Sequence, residues 1–226
     1  MTQQSGAVSV ASTDGGSQTL ARGLTVLALI GESPSPLTVA DLSARLGLHR
    51  SMVYRLVRTL ESHGFVIRTP SGELELGVRL VALARNVARA LHIAAAPVLA
   101  ELADGLGMTA FVVAFDGEAA VTLSTAEPRG VDATVAQRPG SRHSIDRGAP
   151  GRAIRSQLDP VAHPPRAYEV SSDEIIPGLS SVAVPLRVPD GTPSSLAVVY
   201  ITHEYEVDAI AATLTDAAER IVRALH

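Results

Sequence analysis

Residues 37–68 read LTVADLSARLGLHRSMVYRLVRTLESHGFVIR and contain the most informative local pattern of the chain. Thr38, with Asp41 three residues later, is a weaker relative of the capping box and predicts a helix that ends at Gly47. A Gly-Leu-His link then leads into another helix, from about residue 50 to residue 62. Two helices joined by a short glycine-containing turn are the layout of a helix-turn-helix motif.

The helix predicted at about 50–62 has two chemically different faces. At about 100° per residue, its apolar and its polar side chains fall on opposite arcs. The apolar arc contains Met52, Val53, Leu56, Val57 and Leu60, and the polar arc contains Arg50, Ser51, Tyr54, Arg55 and Arg58. Taken alone, this helix is also compatible with an ordinary amphipathic helix that has a solvated arginine face. Its context favours a DNA-reading helix.

The neighbouring sequence adds a helix before this motif and a hairpin after it. Ser17 is a possible N-cap of a first helix that stops at Gly31. The apolar residues of that helix at helical spacing are Leu20, Leu24, Leu27 and Ala28. After Gly64, the run FVIRTPSGELEL predicts two short strands around a Pro-Ser-Gly turn. This hairpin would be the wing of a winged helix-turn-helix domain at residues 17–76.

We expect residues 38–57 and the wing to contact double-stranded operator DNA, with Thr38 at the start of this segment. Guanidinium forks match guanine in the major groove, and hydroxyl groups match bases or phosphates. The base-facing positions are Arg50, Ser51, Tyr54 and Arg55, and the phosphate contacts are assigned to Arg58, Arg68 and Arg22. Two interpretations of His49 remain open, a donor to a phosphate and a plain turn residue.

The charge distribution agrees with a local polyanion-binding surface. The 226-residue chain has a formal net charge of −4. Residues 45–68 sum to +4 and the rest of the chain to −8, so the positive field is confined to one segment. All of the 19 basic residues are arginine.

Composition excludes several classes of protein. The chain is 46% apolar, which is ample for a buried core and excludes general disorder. It contains no cysteine, and therefore no disulfide framework, thiolate zinc site or cysteine nucleophile. We expect no cofactor and no metal. Neither a signal peptide nor an apolar run of membrane-spanning length is recognisable, so a cytoplasmic location with no membrane contact is predicted.

The remaining sequence divides into a tail, a linker and a second domain. Residues 1–16 are rich in Ser, Gly, Thr and Gln and are predicted to be a disordered tail. Residues 77–91 have helical apolar spacing and predict a linker helix.

Residues 92–226 predict an α+β domain, in which Pro97 interrupts or starts a helix that stops at Gly107. Its strands are predicted at 109–115, 119–125, 179–186 and 195–202, and its later helices near 148–157 and 206–225. Short turns between neighbouring strands indicate an antiparallel sheet.

Several stretches of the chain resemble the IclR family of bacterial transcription regulators. These are SQTLARGLTVLALI, the 37–68 stretch and ELELGVRLVALA, and more weakly HSIDRGAPGRAI and RAYEVSSDEIIPGLSSVAVPL. The resemblance implies a winged helix-turn-helix joined by a helix to a GAF-like effector-binding domain. It also implies a homodimer or tetramer on promoter DNA, more often a repressor, whose operator binding a small organic or aromatic acid modulates.

The resemblance also implies the position of an effector pocket. Its residues here would be Gly148, Ala149, Gly151, Ser171, Ser181, Tyr200 and Thr202, with Arg147 or Arg152 assisting. The backbone amides at the start of the helix near Gly148 would hold a carboxylate. Two departures from the family predict an altered pocket, the short segment between Arg155 and Arg166 and the Asp146-Arg147 pair.

Two other functions remain as alternatives to DNA binding. One is a ligand sensor whose N-terminal helices bind a protein partner. The other is a small-molecule enzyme that uses His143 and Asp146, three residues apart, as an acid-base pair. No nucleophile elbow, phosphate-binding loop or zinc-binding helix motif is present in the sequence, which favours a protein that is not an enzyme.

Overall fold

The computed structural model describes residues 16–131, 133–202 and 205–226. It divides the chain into two compact units, Met1–Val87 and Ala88–His226. The tail predicted at residues 1–16 lies outside the described residues, apart from Gly16.

The first unit contains three helices, a two-stranded hairpin and a short fourth helix. These elements are α1 (Gln18–Glu32), α2 (Val39–Leu46), α3 (Arg50–Ser62), β1 (Val66–Arg68), β2 (Leu74–Leu76) and α4 (Arg79–Ala84). Strands β1 and β2 pair antiparallel, and Leu37 forms an additional bridge to Leu74. The core of this unit is apolar and consists of Val26, Ile30, Leu37, Leu42, Val53, Leu56, Val57, Val66 and Leu74. The predicted winged helix-turn-helix is confirmed.

Local signals in the sequence account for the bounds of α2 and α3. The Thr38 hydroxyl accepts a hydrogen bond from the Asp41 amide at 3.3 Å, and Asp41 Oδ2 accepts one from the Thr38 amide at 2.8 Å. This reciprocal pair completes the capping box. Gly47 ends α2 with a left-handed backbone at φ 61°, a conformation that costs glycine little. Residues 47–49 therefore form the tight turn before α3.

The apolar face predicted for α1 is only partly buried. Leu20 and Leu24 are 62% and 57% exposed, whereas Val26 and Ile30 are buried in the core. Apolar residues occupy a wide arc of this helix, and packing within the unit covers only the side that carries Val26 and Ile30. Helical spacing alone does not distinguish these two stripes. On α3, Met52 is likewise 41% exposed, at the edge of the predicted core arc.

The second unit is an antiparallel sheet with helices on both faces. Its helices are α5 (Arg89–Leu106), α6 (Ala149–Leu158) and α7 (Val207–Ala224). Its strands are β3 (Thr109–Phe115), β4 (Ala120–Ala126), β5 (Arg142–His143), β6 (Glu169–Ser172), β7 (Leu179–Arg187) and β8 (Pro193–Ile201). The strand order is β5-β4-β3-β8-β7-β6. The predicted α+β class with an antiparallel sheet is confirmed.

The alternation of side chains along the strands divides the core of this unit into two layers. Val112, Val182 and Val198 lie in the layer formed with α5 and α7. Phe111, Ala183 and Ala197 lie in the layer formed with α6. Because successive residues of a strand point to opposite faces, a difference of one position decides which layer a residue joins.

Two helix predictions are corrected. The helix expected at 77–91 is divided into α4 and the start of α5, because Ala88 has a left-handed backbone at φ 45° that cannot continue a right-handed helix. Pro97 neither starts nor interrupts a helix but lies inside α5. Packing of its neighbours Ala94, Val98 and Leu99 in the core offsets the hydrogen bond that proline cannot donate. Strands β5 and β6 were not predicted; both are short and lie at the two edges of the sheet.

Candidate nucleic-acid surface and ligand cavity

The polar arc of α3 faces solvent. Val53 and Val57 are fully buried, and the opposite side chains Arg50, Ser51, Tyr54, Arg55 and Arg58 are all exposed. Among the described residues, no carboxylate forms an ion pair with Arg50, Arg55 or Arg58. Three guanidinium groups therefore project from one side of a helix whose other side is anchored in the core.

The hairpin contributes one arginine to the same surface. The guanidinium carbon of Arg68 lies 5.8 Å from the centre of the Tyr54 ring, within the range of a cation–π contact. Arg68 Nε also donates to Glu61 Oε1 at 3.0 Å. The wing is thus attached to α3 through two contacts, and Glu61 partly neutralises the charge of Arg68.

The other predicted DNA-binding residues form contacts within the unit. His49 is the N-cap of α3, and its Nδ1 accepts a hydrogen bond from the Ser51 amide at 3.3 Å. The Thr38 hydroxyl donates to Asp41 Oδ2 at 2.6 Å, and the hydrogen bonds from Thr38 lower the pKa of the Asp41 carboxyl. Arg22 Nη1 lies 3.2 Å from Met52 Sδ. These residues have structural roles in addition to any contact with DNA.

A cavity of about 110 Å³ lies in the second unit, between the sheet, the start of α6 and the segment 173–178. Its lining is mostly apolar. The predicted effector residues on its wall are Arg147, Gly148, Gly151, Ser171 and Ser181. His143, considered above only as part of an acid-base pair, also lines the cavity, together with residues that the sequence analysis did not name, among them Phe111, Gln137, Glu174, Ile175 and Val199.

Four predicted effector residues do not line this cavity, the assisting Arg152 and the three described next. Tyr200 follows Val199 in β8 and therefore points to the opposite face of the sheet, where its ring meets that of Tyr205 edge-on at 5.0 Å. Thr202 lies beyond the end of β8, and its Oγ1 is 2.8 Å from Ser180 Oγ. Ala149 is buried, and only its amide takes part in a polar contact near the cavity.

The start of α6 binds a carboxylate of the protein itself. Gly148 N donates to Glu174 Oε2 at 2.9 Å, and Ala149 N donates to Ser171 Oγ at 3.1 Å. Arg152 Nη1 donates to both oxygens of Glu174, at 2.9 and 2.7 Å. Arg152 and the Gly148 amide hold the pKa of the Glu174 carboxyl below its ordinary value. Sequence analysis placed a ligand carboxylate here and did not identify Glu174, because its partners lie more than 20 positions away in the chain.

The acid-base pair considered for an enzyme is not formed. Asp146 forms an ion pair with Arg155. His143 Nε2 lies 2.8 Å from Gln137 Nε2, which in turn contacts Thr122 Oγ1 at 2.7 Å. Burial lowers the pKa of His143. An amide group therefore holds the imidazole at the cavity wall, and the acidic partner that general acid-base catalysis would require is bound to another residue.

Residues 16–131, 133–202 and 205–226 contain no group of three or more His, Cys, Asp or Glu side chains arranged to hold a metal ion. None of their helices is both long and apolar enough to cross a membrane.

The N-terminal part of the chain matches a known domain family. Residues 19–70 match the IclR helix-turn-helix domain. The DNA-binding transcriptional repressor YiaJ of Escherichia coli K12 is 32% identical over 116 residues, which are 50% of this chain and 41% of that protein. Among the curated relatives the match spans from 41% to 58% of their length, so the chain aligns with roughly half of each.

Solved structures extend the likeness to both units. The IclR transcriptional regulator from Alicyclobacillus acidocaldarius has a TM-score of 0.78 at 24% identity, covering 93% of this chain and all 100% of that chain. An IclR homologue from Microbacterium hydrocarbonoxydans, complexed with 4-hydroxybenzoate, has a TM-score of 0.74 at 20% identity, covering 92% of this chain and 98% of that chain. At these identities the likeness shows a shared fold.

These relatives are named as transcriptional regulators, in agreement with the prediction of a protein that is not an enzyme. The matched helix-turn-helix domain, the named relatives and the shared two-unit fold agree with one another. The chain is therefore similar to IclR transcriptional regulators, by its helix-turn-helix segment at residues 19–70 and by the fold of both units.

Proposed function

We propose that this protein is a cytoplasmic DNA-binding transcriptional regulator, and more specifically a repressor, whose operator binding responds to a small organic or aromatic acid. The observation that carries the DNA-binding part is the exposed arginine face of α3, with Arg50, Arg55 and Arg58 on the side opposite the buried Val53 and Val57. A helix anchored in this way can enter the major groove without exposing its apolar face.

The proposed DNA contacts fall into two groups. Arg50, Ser51, Tyr54 and Arg55 read base edges near the start and middle of α3. The phosphate contacts come from Arg58, from Arg68 in the wing, and from Arg22, His49 and Thr38 at the rim of the same surface. His49 and Thr38 cap the N-termini of α3 and α2, where backbone amides also favour a phosphate.

We propose that the protein acts as a homodimer or tetramer. A single recognition helix reads few bases, and paired helices on a twofold axis read two half-sites one helical turn apart. Exposed apolar side chains support such an assembly. On the N-terminal unit they include Leu20, Leu24, Val78, Val81, Leu83 and Val87. Large apolar groups in solvent are typical of surfaces that pack against a partner.

The cavity beside α6 is the proposed effector site. Its volume of about 110 Å³ is of the same order as that of an apolar cavity of about 150 Å³ that binds benzene, which limits the ligand to a small molecule. Phe111, Val199 and Ile175 provide apolar contacts, and Gln137 and His143 provide polar ones. The 4-hydroxybenzoate bound by the Microbacterium homologue supports an aromatic acid as the class of effector.

Selection of genomic DNA fragments by the full-length protein, followed by a gel shift at several salt concentrations, tests the DNA-binding proposal. Specific retention with a nanomolar-range Kd that weakens steeply with salt is the expected result. A protein that retains no fragment in preference to bulk DNA, and instead captures one partner protein through its N-terminal helices, would support the alternative of a protein-binding sensor.

A further inference from the structure

Glu174, an acidic residue of the cavity wall, is hydrogen-bonded to a backbone amide and an arginine that could otherwise bind an anionic ligand. Glu174 lines the cavity, and its carboxylate accepts hydrogen bonds from Gly148 N at 2.9 Å and from Arg152 Nη1 at 2.7 and 2.9 Å. Arg147 donates to the backbone carbonyl of the same residue. A helix N-terminus and a guanidinium group thus converge on a carboxylate that belongs to the protein.

The position of Arg152 determines which carboxylate can reach it. Glu174 is among the residues that line the cavity, whereas Arg152 is not. Arg152 also donates to Glu169 Oε2 at 3.2 Å, so two carboxylates of the protein already share its charge. A ligand carboxylate in the cavity therefore meets the negative charge of Glu174 before it can meet Arg152.

We propose that Glu174 is a built-in competitor that determines the ligand specificity of the cavity, because a carboxylate ligand must displace it whereas a neutral ligand of the same shape does not. This inference rests on the proposed function of the cavity as an effector site. A ligand carboxylate at the Gly148 amide would be a third negative charge beside Arg152, which already pairs with Glu169 and Glu174, and like charges so close repel each other. The repulsion by Glu174 then lowers the affinity for a carboxylate ligand relative to a neutral ligand of the same shape, so that specificity depends on an unfavourable contact as well as on favourable ones.

Arg147 is the arginine of the cavity wall, and it donates to the backbone carbonyl of Glu174; the serine and glutamine side chains of the wall are neutral. Ser171 Oγ accepts from Ala149 N at 3.1 Å, and Ser181 Oγ donates to the Val198 carbonyl at 2.8 Å. The Gln137 amide is bonded to His143 and Thr122. Neutral hydroxyl or amide groups of a ligand can pair with such side chains, whereas a carboxylate is best held by the Gly148 amide and the Arg152 guanidinium group, which Glu174 occupies.

Displacement of Glu174 would also move part of the cavity wall. Glu174 belongs to the segment 173–178, which connects β6 to β7 and carries Ile175 and Ile176 on the same wall. A Cβ atom placed on Gly148 would lie 3.4 Å from Ile175 Cγ1, so the segment packs directly on the start of α6. A ligand that replaces Glu174 therefore has a structural effect that a neutral ligand lacks.

Titration calorimetry with two ligands of the same shape tests this inference. 4-Hydroxybenzoate is the charged probe and 4-hydroxybenzamide is the neutral probe. Each is titrated into the full-length protein and into its Glu174→Ala, Glu174→Gln and Glu101→Gln variants. Glu101 is a matched control because it also pairs with an arginine, Arg220, but lies on α5, on the opposite face of the sheet.

The ratio of the two dissociation constants is the deciding quantity. We expect Glu174→Ala and Glu174→Gln to increase the affinity for 4-hydroxybenzoate relative to 4-hydroxybenzamide by about tenfold or more. The reason is that the Gly148 amide and Arg152 become free to bind the ligand carboxylate. Glu101→Gln should leave the ratio unchanged. Because Glu174→Gln preserves the shape of the side chain, it separates the effect of charge from that of cavity volume.

Three outcomes would overturn the inference. These are an equal gain for both probes, a ratio that does not change, and no binding of 4-hydroxybenzoate to either Glu174 variant. The last outcome leaves the DNA-binding part of the proposed function untouched, since the gel shift measures it separately. If the original protein binds the neutral probe and the ratio is nevertheless constant, the cavity is a ligand site and only the role of Glu174 is wrong.

Discussion

The guanidinium group of Arg68 lies over the ring of Tyr54, 5.8 Å from its centre, and also donates to Glu61 at 3.0 Å. Arg68 is the last residue of β1, whereas Tyr54 and Glu61 lie on α3. The wing and the proposed reading helix are therefore connected through one side chain. Any change that alters the charge or position of Arg68 is expected to affect DNA binding by both elements.

Removal of one arginine from α3 should weaken operator binding. For Arg50→Ala or Arg55→Ala we expect a loss of about 1–3 kcal/mol when the side chain pairs with a base. Fluorescence anisotropy with a labelled operator measures this loss. Arg187→Ala is the control, because Arg187 is an exposed arginine in the second unit. Unchanged affinity of both α3 variants would contradict the assignment of base contacts.

Glu61→Gln should strengthen operator binding. Glu61 partly neutralises Arg68 and adds a negative charge to the surface proposed to face DNA. Because exposed ion pairs contribute little to stability, about 0.2–1 kcal/mol, the fold should tolerate this change. We expect a roughly two- to fivefold lower Kd and a steeper dependence on salt, measured by anisotropy at several salt concentrations. Glu101→Gln is the control and should leave the Kd unchanged. Weaker or unaltered operator binding by Glu61→Gln would contradict the proposal that Arg68 faces DNA.

Thr38→Ala should destabilise α2 locally. The substitution removes the hydroxyl that accepts from the Asp41 amide and donates to the Asp41 carboxylate. Loss of an N-cap costs about 1 kcal/mol, or about fivefold in the local opening equilibrium. Hydrogen–deuterium exchange of peptides covering residues 38–46 measures the loss of protection. Thr213→Ala is the comparison, since Thr213 lies inside α7 and bonds only a carbonyl of its own helix. Equal protection of residues 38–46 in the Thr38→Ala and Thr213→Ala variants would argue against the capping box as a stabilising feature.

His143 should make the stability of the second unit depend on pH. Burial lowers its folded-state pKa below the ordinary value of 6.5. As the pH falls, the unfolded chain therefore takes up this proton first, and the free energy of unfolding decreases below about pH 6.5. At pH 7 and above this contribution to stability is fully present.

Urea unfolding at about pH 7.5 and about pH 5.5 measures this effect. We expect His143→Gln to reduce the difference in unfolding free energy between the two conditions. His92→Gln, at an exposed histidine, should leave that difference as it is. A His143→Gln protein with the same pH dependence as its parent would rule out His143 as the responsible group.

The helix-turn-helix was predictable from sequence because its signals are local. Thr38 with Asp41 starts α2, Gly47 ends it, and the spacing of Val53, Leu56 and Val57 orients α3. Each of these signals acts over one or two helical turns. For the same reason, β3 and β8 were found from their apolar runs, whereas β5 and β6 are too short and polar to be recognised before their pairing is known.

The candidate ligand site depends on contacts between distant parts of the chain. Gly148 and Ser171 were predicted at the cavity, but Glu174 was missed because its bonds to Gly148 and Arg152 join residues 26 and 22 positions apart. Tyr200 was placed on the wrong face of the sheet, since a shift of one residue along a strand reverses the direction of its side chain.

Sequence by itself determined the class of the fold, the helix that presents the arginines and the side of that helix that faces solvent, since hydrophobic periodicity and capping are properties of short segments. Tertiary structure alone decided which apolar stripe of α1 is buried, how Arg68 meets Tyr54, and that Glu174 occupies the start of α6. Each of these outcomes is a contact between segments, and its energy depends on distances that neighbouring residues in the chain do not specify.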